Sequence, residues 1–219
     1  MTERGRDVAH IGHAELLTPA PEASLEYFTT LLGLTVAAEG AGSWYLRGYG
    51  DYEPYCLKLT ASDQAGLGHL AVRAWSPEAL ARRVAWLEAA GVPGSWTEPD
   101  GGKGPAYEFR DPDGHPVRIY HETSKYAAPA GERPAMKSNH QRYAGRGANV
   151  RRLEHVNLMT GHVRACGGER GSTASPSGGA AAVDVPALRH AAGGRARGGG
   201  HVGLALAGLT HFPEALARR

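Results

Sequence analysis

Histidines in two similar strand patterns are the residues of this sequence whose type and spacing best suit chemistry. His155 lies within RRLEHVNL, residues 151–158, and His13 lies within HIGHAELL, residues 10–17. When His155 is aligned with His13, a Leu or Ile precedes each histidine by two positions and a Leu follows each by three. Imidazole binds metal ions and transfers protons near neutral pH. The echo indicates two related units, each opened by a strand that carries a histidine.

A second pair of histidines extends this echo. His69 lies in GHLAV and His201 lies in GHVGL, and the last seven residues, PEALARR, repeat residues 77–83. The repeat is rich in Ala and Arg, so coincidence is a serious alternative. The spacing also differs, with 46 residues from His155 to His201 and 56 from His13 to His69. His201 is therefore the weaker match.

The elements that must position these histidines follow the order β-α-β-β-β twice between residues 8 and 120. Pro21 opens the first predicted helix and Gly33 ends it, while Ser76 and Pro77 provide the cap and the first residue of the second helix. Apolar alternation and turn residues predict strands at residues 8–17, 34–38, 43–47, 55–59, 68–73, 94–97, 106–110 and 115–120.

This order predicts an α+β fold of paired βαβββ modules. The modules, residues 8–60 and 67–122, form one domain of residues 1–122, and their opening and closing strands face the cleft of a curved sheet. Residues 123–150 contain Pro and Gly without periodicity and are interpreted as a linker. Residues 151–219 are interpreted as an incomplete carboxy-terminal domain.

The regular pattern of the second domain ends after Leu158. Residues 167–200 contain ten Gly and eight Ala among 34 residues, and no Ile, Lys, Tyr, Trp, Phe or Met. Such a segment buries too little apolar area to offset its chain entropy, so we expect disorder. A changed reading frame in GC-rich coding sequence would yield this composition. Translating the other two frames over residues 165–219 distinguishes a damaged gene from a natural tail.

Composition and charge exclude several classes of function. The formal net charge is +2, and the Arg- and Gly-rich tail lacks the aromatic residues of a nucleic-acid-binding segment. Two cysteines cannot make a disulfide framework, no apolar run reaches the length of a membrane span, and the amino terminus lacks the apolar region of a signal peptide. We expect a cytoplasmic protein without nucleic-acid or membrane partners. Self-association into a homo-oligomer is left open.

Several other residues receive structural interpretations. Four histidines without an identifiable partner are expected on the surface or in the linker: His10, His115, His140 and His190. Cys56 alternates with its neighbours in a strand and is expected to be a small buried apolar residue. The tyrosines between residues 45 and 55 are expected to form the core and rim of the curved sheet.

The chain from residue 8 to about residue 165, three quarters of its length, resembles the extradiol ring-cleaving dioxygenases of the catechol 2,3-dioxygenase kind, in the vicinal-oxygen-chelate superfamily. The motifs that carry the resemblance are HIGHAELLTP, YLRGYGDY, AGLGH, FRDPDGH, QRY and RRLEHVNL. The resemblance implies a non-catalytic amino-terminal domain and a catalytic carboxy-terminal domain. It also implies an Fe(II) held by two His and one Glu, with catechol and O₂ at the open positions that such a facial triad leaves.

Residue by residue, the resemblance implies an incomplete iron site. His155 matches the first iron ligand of the family, His201 is the candidate for the second, and the third, carboxylate ligand is absent. In the first domain, His13 and His69 match vestigial metal positions, with Arg118 in the place of the carboxylate. A guanidinium group repels a cation and offers it no lone pair. We therefore expect neither site to retain Fe(II).

Three functions follow from these observations. The first is an extradiol dioxygenase that is inactive in this chain because the site is incomplete. The second is a non-catalytic, small-molecule-binding protein of the same fold, which rests on analogy. The third is a fragment that pairs with intact dioxygenase subunits through its complete first domain.

Overall fold

The computed structural model describes residues 7–133, 147–148, 150–156 and 158. These residues form one eight-stranded sheet with helices packed against it. The strands are β1 (Val8–Thr18), β2 (Thr35–Gly40), β3 (Ser43–Arg47), β4 (Leu57–Ala61), β5 (Gly66–Ala74), β6 (Gly94–Thr97), β7 (Ala106–Arg110) and β8 (Pro116–Tyr120). The helices are α1 (Pro21–Glu26), which continues as a π-helical segment over Tyr27–Leu31, and α2 (Pro77–Ala89), and a short 3-10 helix covers Ala130–Glu132.

The strand order, β2-β3-β4-β1-β5-β8-β7-β6, confirms the prediction of paired βαβββ modules. In the first module β1 pairs with β4 in parallel, and in the second β5 pairs with β8 in parallel. The two modules meet where β1 and β5 pair antiparallel at the centre of the sheet. The opening strands of both modules are therefore neighbours, and side chains from one face of each share the cleft.

The helix boundaries follow the predicted capping residues. The Ser76 hydroxyl accepts a hydrogen bond of 3.1 Å from the backbone N–H of Ala79, and Pro77 is the first residue of α2. Gly33 and Gly91, which follow the two helical segments, have φ angles of 77° and 72°. Glycine adopts this left-handed region without the steric cost that a Cβ would add. The sequence thus determines where both helices begin and end.

Each module has its own apolar core. In the first module, Phe28 on the π-helical segment packs on inward residues of β1, β3 and β4, and in the second module Val84 and Leu87 of α2 pack on β5, β7 and β8. Cys56 is buried in the first core, as predicted, and burial raises the pKa of its thiol to about 12. The main strand residues of the two cores are Leu16, Leu46, Leu57 and Leu59 in the first, and Val72, Val117 and Ile119 in the second.

The residues near 151–158 differ from the sequence prediction. Residues 151–156 form no strand, and none of the eight described strands pairs with them. Their backbone instead packs on the turn after β3, where the Gly50 N–H donates to the Arg151 carbonyl at 3.0 Å. Leu153 and Leu158 are buried in the core of the first module. This segment is anchored by apolar burial rather than by a strand ladder.

Two further predictions concern other parts of the chain. Residues 167–200, predicted to be disordered, lie outside the described residues, as do His140, His190 and His201. Among the residues that the structure covers, none of the helices has the length and apolar character needed to cross a membrane.

Candidate functional site

His13 and His69 meet in the cleft because β1 and β5 are neighbours. In the antiparallel register Glu15 lies opposite His69 and His13 lies opposite Ala71, with a bulge between Ile11 and His13. The two Nε2 atoms are 2.8 Å apart, and both side chains are buried. The structure therefore brings together the two histidines that the sequence analysis paired.

The far side of His69 faces a carboxylate. Its Nδ1 lies 2.7 Å from Oε2 of Glu15, whose other oxygen accepts a hydrogen bond of 2.7 Å from Thr60 and lies 3.3 Å from Nζ of Lys58. Burial alone would raise the pKa of Glu15, but the hydrogen bonds from His69 and Thr60 and the charge of Lys58 lower it to about 2. Glu15 is therefore ionised at neutral pH and accepts a hydrogen bond from the Nδ1–H group of His69.

The far side of His13 faces a lysine instead. Nζ of Lys103 lies 3.1 Å from Nδ1 of His13 and donates to Glu53 at 2.7 Å and to the hydroxyl of Tyr120 at 3.0 Å. Lys103 is 3% exposed and Glu53 is 1% exposed. Burial would raise the pKa of Glu53, but hydrogen bonds from His10, Lys103 and Tyr120 and the lysine charge lower it to about 2. The centre of the cleft is thus a buried ammonium–carboxylate pair.

Lys103 reaches the cleft from a loop of the second module, residues 99–105, which we call the cleft loop. Asp100 of this loop accepts hydrogen bonds from Tyr45 and, at 2.7 Å, from Lys58, both of which belong to the first module. Gly101 has a φ of 57°, and a Cβ there would lie 2.7 Å from the ring of Tyr45. The glycine lets the loop approach this ring closely. The cleft loop therefore joins the modules across the cleft.

Arg118 of β8 lies beside His69. Its Nη1 is 3.5 Å from Nε2 of His69, and its Nε donates to Glu108 at 2.7 Å. β8 pairs with β5 in parallel, which sets Ala71 opposite Arg118. Two cationic side chains, Arg118 and Lys103, therefore flank the histidine pair.

Two other histidines, expected on the surface without an identifiable partner, are partly exposed and have partners. His10 is half-buried, with Nε2 at 3.0 Å from Glu53 and 3.1 Å from the hydroxyl of Tyr52. Nδ1 of His115 lies 2.8 Å from a carboxylate oxygen of Asp111 in the turn before β8. The tyrosine cluster is also more than core and rim, since the buried ring of Tyr55 lies 4.7 Å from that of His13. The partners of His10 and His13 are more than 40 positions away and gave no local signal, whereas Asp111 is only four positions from His115 and was available as a local signal.

The predicted iron ligands do not come together among the described residues. His155 is exposed on the segment that packs against the first module, and His201 lies outside the described residues. Within the part of the chain that the structure describes, no group of three or more His, Cys, Asp or Glu side chains is arranged to hold a metal ion. The pair His13 and His69, with Arg118 beside it, does not fit the two-histidine, one-carboxylate donor set of Fe(II).

The sequence analysis missed the residues at the centre of the network, Lys103, Glu53 and Tyr120. The available signal was the sequence PDGGKGP, in which a lone lysine stands between glycines that permit close approach. At the mouth of the cleft, residues 99–105 and 122–124 line a pocket with a cavity volume of about 470 Å³.

Comparisons with known proteins agree with this architecture. The chain is 44% identical to metapyrocatechase from Geobacillus stearothermophilus over 154 residues, which are 70% of this chain and 47% of that protein. It is 35% identical to manganese-dependent 2,3-dihydroxybiphenyl 1,2-dioxygenase from Geobacillus genomosp. 3 over 156 residues, which are 70% of this chain and 49% of that protein. The chain therefore spans about half the length of these relatives.

Solved structures share the fold at lower identity. The 2,3-dioxygenase LapB from Pseudomonas sp. KL28 superimposes with a TM-score of 0.60 and 22% identity, over 68% of this chain and 53% of that one. An extradiol ring-cleaving dioxygenase from Brevibacterium fuscum superimposes with a TM-score of 0.56 and 23% identity, over 69% of this chain and 40% of that one. Residues 10–119 also match the family pattern itself. The chain therefore belongs to the Glyoxalase/Bleomycin resistance protein/Dioxygenase superfamily.

Proposed function

We propose that this chain is an extradiol-dioxygenase protein in which residues 1–122 form the non-catalytic domain. The observation that carries the proposal is the histidine pair, His13 and His69, which lies between two cationic side chains, Lys103 and Arg118. The names of the relatives support the reaction class. That reaction opens a catechol-type ring beside the diol and adds both atoms of O₂, so that catechol, C₆H₆O₂, becomes a semialdehyde, C₆H₆O₄.

In this proposal, ring cleavage is the role of the family's complete catalytic domain, at a non-haem Fe(II) or Mn(II), and residues after 150 correspond to the start of that domain. His155 as first ligand and His201 as second ligand stay predictions. The donor set of the described residues does not fit the metal, and no catalytic step is assigned to them. For the 219-residue polypeptide itself we propose no ring cleavage, because no carboxylate matches the third ligand position.

The described domain has a positioning role in this proposal. Leu153 and Leu158 are buried in the core of the first module, on either side of His155. A Cβ at Gly48 would lie 2.3 Å from the Arg151 carbonyl oxygen, so only glycine allows this backbone approach. Two buried anchors and a close backbone contact fix the segment that carries His155. The domain would thereby hold in place the segment that carries the first predicted ligand of a catalytic domain.

The test is an oxygenation assay on the full chain. The protein is purified anaerobically, loaded with Fe(II) or Mn(II), mixed with catechol and exposed to O₂, and the yellow semialdehyde is followed by its absorbance. We expect no turnover above a metal-only control. Turnover that His155→Ala abolishes, and that the control His115→Ala leaves intact, would show a complete site and overturn the proposal of inactivity.

One observation favours a second function, small-molecule binding without redox chemistry. The pocket at the mouth of the cleft is large enough for a small ligand. Lys103, which contributes to the pocket lining, has its Nζ 4.4 Å from the ring centre of Tyr55 and 4.9 Å from that of Tyr120. Equilibrium binding of catechol to the metal-free chain separates the two functions, because the first requires no binding to this domain.

A further inference from the structure

In the cleft of the first domain, two histidine rings lie close enough to bind one metal ion, but the side chains beside them are cationic. His13 and His69 point their Nε2 atoms at each other at 2.8 Å. Two neighbouring ligands at about 2.1 Å from one metal ion lie roughly 3 Å apart, so the spacing alone would admit a metal with little movement. If the cleft excludes metal ions, the cause must therefore be the hydrogen-bond donors and charges around the histidines rather than the distance between the two rings.

We infer that Lys103 closes this cleft to metal ions: its ammonium group supplies the cation around which the cleft is built and holds His13 in the tautomer that cannot bind a metal through Nε2. This inference concerns the domain of residues 1–122 and does not depend on the proposed ring-cleavage function.

The tautomer of His13 follows from its neighbour. A lysine ammonium has three donors and no acceptor. Burial lowers the pKa of Lys103, and the charge and hydrogen bond of Glu53, whose carboxylate lies 2.7 Å from Nζ, oppose this shift. We assign Lys103 as an ammonium group on the geometry of this contact, in which a carboxylate can only accept. The contact of 3.1 Å between Lys103 and Nδ1 of His13 therefore requires that Nδ1 accept. Burial and the charge of Lys103 lower the pKa of His13 well below its usual range, so the ring is neutral and carries its proton on Nε2.

The tautomer of His69 follows from its own neighbour, the carboxylate of Glu15. The Glu15 carboxylate can only accept, so Nδ1 of His69 carries the proton across the 2.7 Å contact. Nε2 of His69 is then the acceptor for the Nε2 proton of His13. In this direction each contact of the chain Lys103, His13, His69 and Glu15 pairs one donor with one acceptor. The two ends, an ammonium and a carboxylate, fix both tautomers.

This direction is incompatible with metal binding at His13. A histidine that binds metal through Nε2 commits that lone pair and donates its Nδ1 proton to an acceptor. His69 has the required acceptor in Glu15, whereas Nδ1 of His13 faces a donor. Exchanging the His13 tautomer would place an N–H against the Lys103 ammonium at 3.1 Å. One residue of the second module thus disables one of the two potential ligands.

Arg118 contributes less to this exclusion than Lys103. Its Nη1 is 3.5 Å from His69, but its Nε is bound to Glu108, and the side chain is 23% exposed. Lys103 is buried and contacts four acceptors, the fourth being the carbonyl of Gly12 at 3.3 Å. A buried charge is poorly screened by solvent. Removal of Lys103 should therefore matter more than removal of Arg118.

The first test measures the tautomers in the unmodified full chain. Long-range ¹H–¹⁵N spectra of the imidazole rings at pH 7 distinguish Nε2–H from Nδ1–H, and His13→Gln and His69→Gln assign the signals. We expect His13 to be neutral with Nε2–H and His69 to be neutral with Nδ1–H. A proton on Nδ1 of His13, or a charged His13 ring, would overturn the inference.

The second test measures metal binding with Co(II), whose visible absorption reports histidine ligation. The variant Lys103→Met/Glu53→Gln removes the ammonium together with its carboxylate partner. We expect at least a tenfold gain in Co(II) affinity over the unmodified chain, and we expect His13→Ala to abolish the gain. Thermal unfolding by circular dichroism checks that each variant is folded.

A matched control uses an ion pair that lies outside the histidine network. Arg82 and Asp7 are joined at 2.9 Å, and neither contacts Lys103, His13, His69 or Glu15 through a hydrogen bond in the described residues. Arg82→Met/Asp7→Asn should change Co(II) affinity less than threefold. Three results would overturn the inference: His13-dependent Co(II) binding by the unmodified chain, no gain in the folded Lys103 variant, or an equal gain in the control. If the Lys103 variant fails to fold, the tautomer measurement alone decides.

Discussion

The buried pair of Lys103 and Glu53 provides a prediction about stability. Lys103→Met should lower the free energy of unfolding by about 3 kcal/mol, because breaking a buried pair on one side leaves an uncompensated charge, at a typical cost of about 3–5 kcal/mol. The lowered pKa of Glu53 gives a similar size: a fall from 4.5 to about 2 corresponds to about 3 kcal/mol of preference for the ionised form. Tyr120 and His10 supply part of this preference, so the lower value is expected.

Replacing Glu53 as well should restore much of the free energy of unfolding that Lys103→Met loses. In Lys103→Met/Glu53→Gln the charge that remains buried is removed, and Tyr120 can still donate to the amide oxygen of the glutamine. Replacing a buried ion pair by neutral groups is often close to neutral in free energy. We therefore expect the double variant to be at least about 1 kcal/mol more stable than Lys103→Met, a positive coupling in the double-mutant cycle.

Urea unfolding at pH 7, followed by tryptophan fluorescence, measures all four members of the cycle. Arg82→Met is the matched control, because Arg82 pairs with Asp7 at 2.9 Å while 55% exposed, and surface pairs contribute about 0–1 kcal/mol. A loss below about 1 kcal/mol in Lys103→Met, or a double variant no more stable than it, would refute the buried-pair argument.

Three further predictions follow from the same contacts. Acid should destabilise the protein: the pKa values of Glu15 and Glu53 are about 2 when folded and 4.5 normally, so the unfolded chain binds more protons, and the stability present above pH 5 is lost towards pH 2 in urea titrations. Gly12→Ala should lower the midpoint of thermal unfolding, because its Cβ would lie 1.9 Å from the Tyr120 hydroxyl, which is held by buried partners. Leu153→Ala should cost about 2–4 kcal/mol in urea unfolding, and no loss would mean that the segment is not anchored in the core.

Local patterns in the sequence determined the elements of this fold. Apolar alternation marks the strands, and Ser76 with Pro77 marks the start of α2. The glycines at residues 33 and 91 end the helical segments with left-handed backbone angles. The repeat of one βαβββ unit by another then predicts paired modules. These signals suffice because each depends on residues only a few positions apart.

The sequence predicted one part of the candidate site, and only the tertiary structure shows the other part. The internal echo and the family resemblance predicted His13, His69 and Arg118 at related positions, and the pairing of β1, β5 and β8 brings them together. The sequence did not predict what lies behind the histidines. Lys103 is 90 positions from His13 and 50 from Glu53, and it enters from a loop of the other module.

The sequence by itself therefore determined the elements, their order and the identity of the histidine pair. Only the tertiary structure decided the chemistry of that pair, because hydrogen-bond direction depends on which donor or acceptor lies behind each ring. A carboxylate behind His69 and an ammonium behind His13 give the two rings opposite tautomers. Tertiary structure also decided the conformation of residues 150–158. Their apolar pattern predicts a strand, but a strand requires a hydrogen-bonded partner strand. The structure instead buries their apolar side chains in the core of the first module.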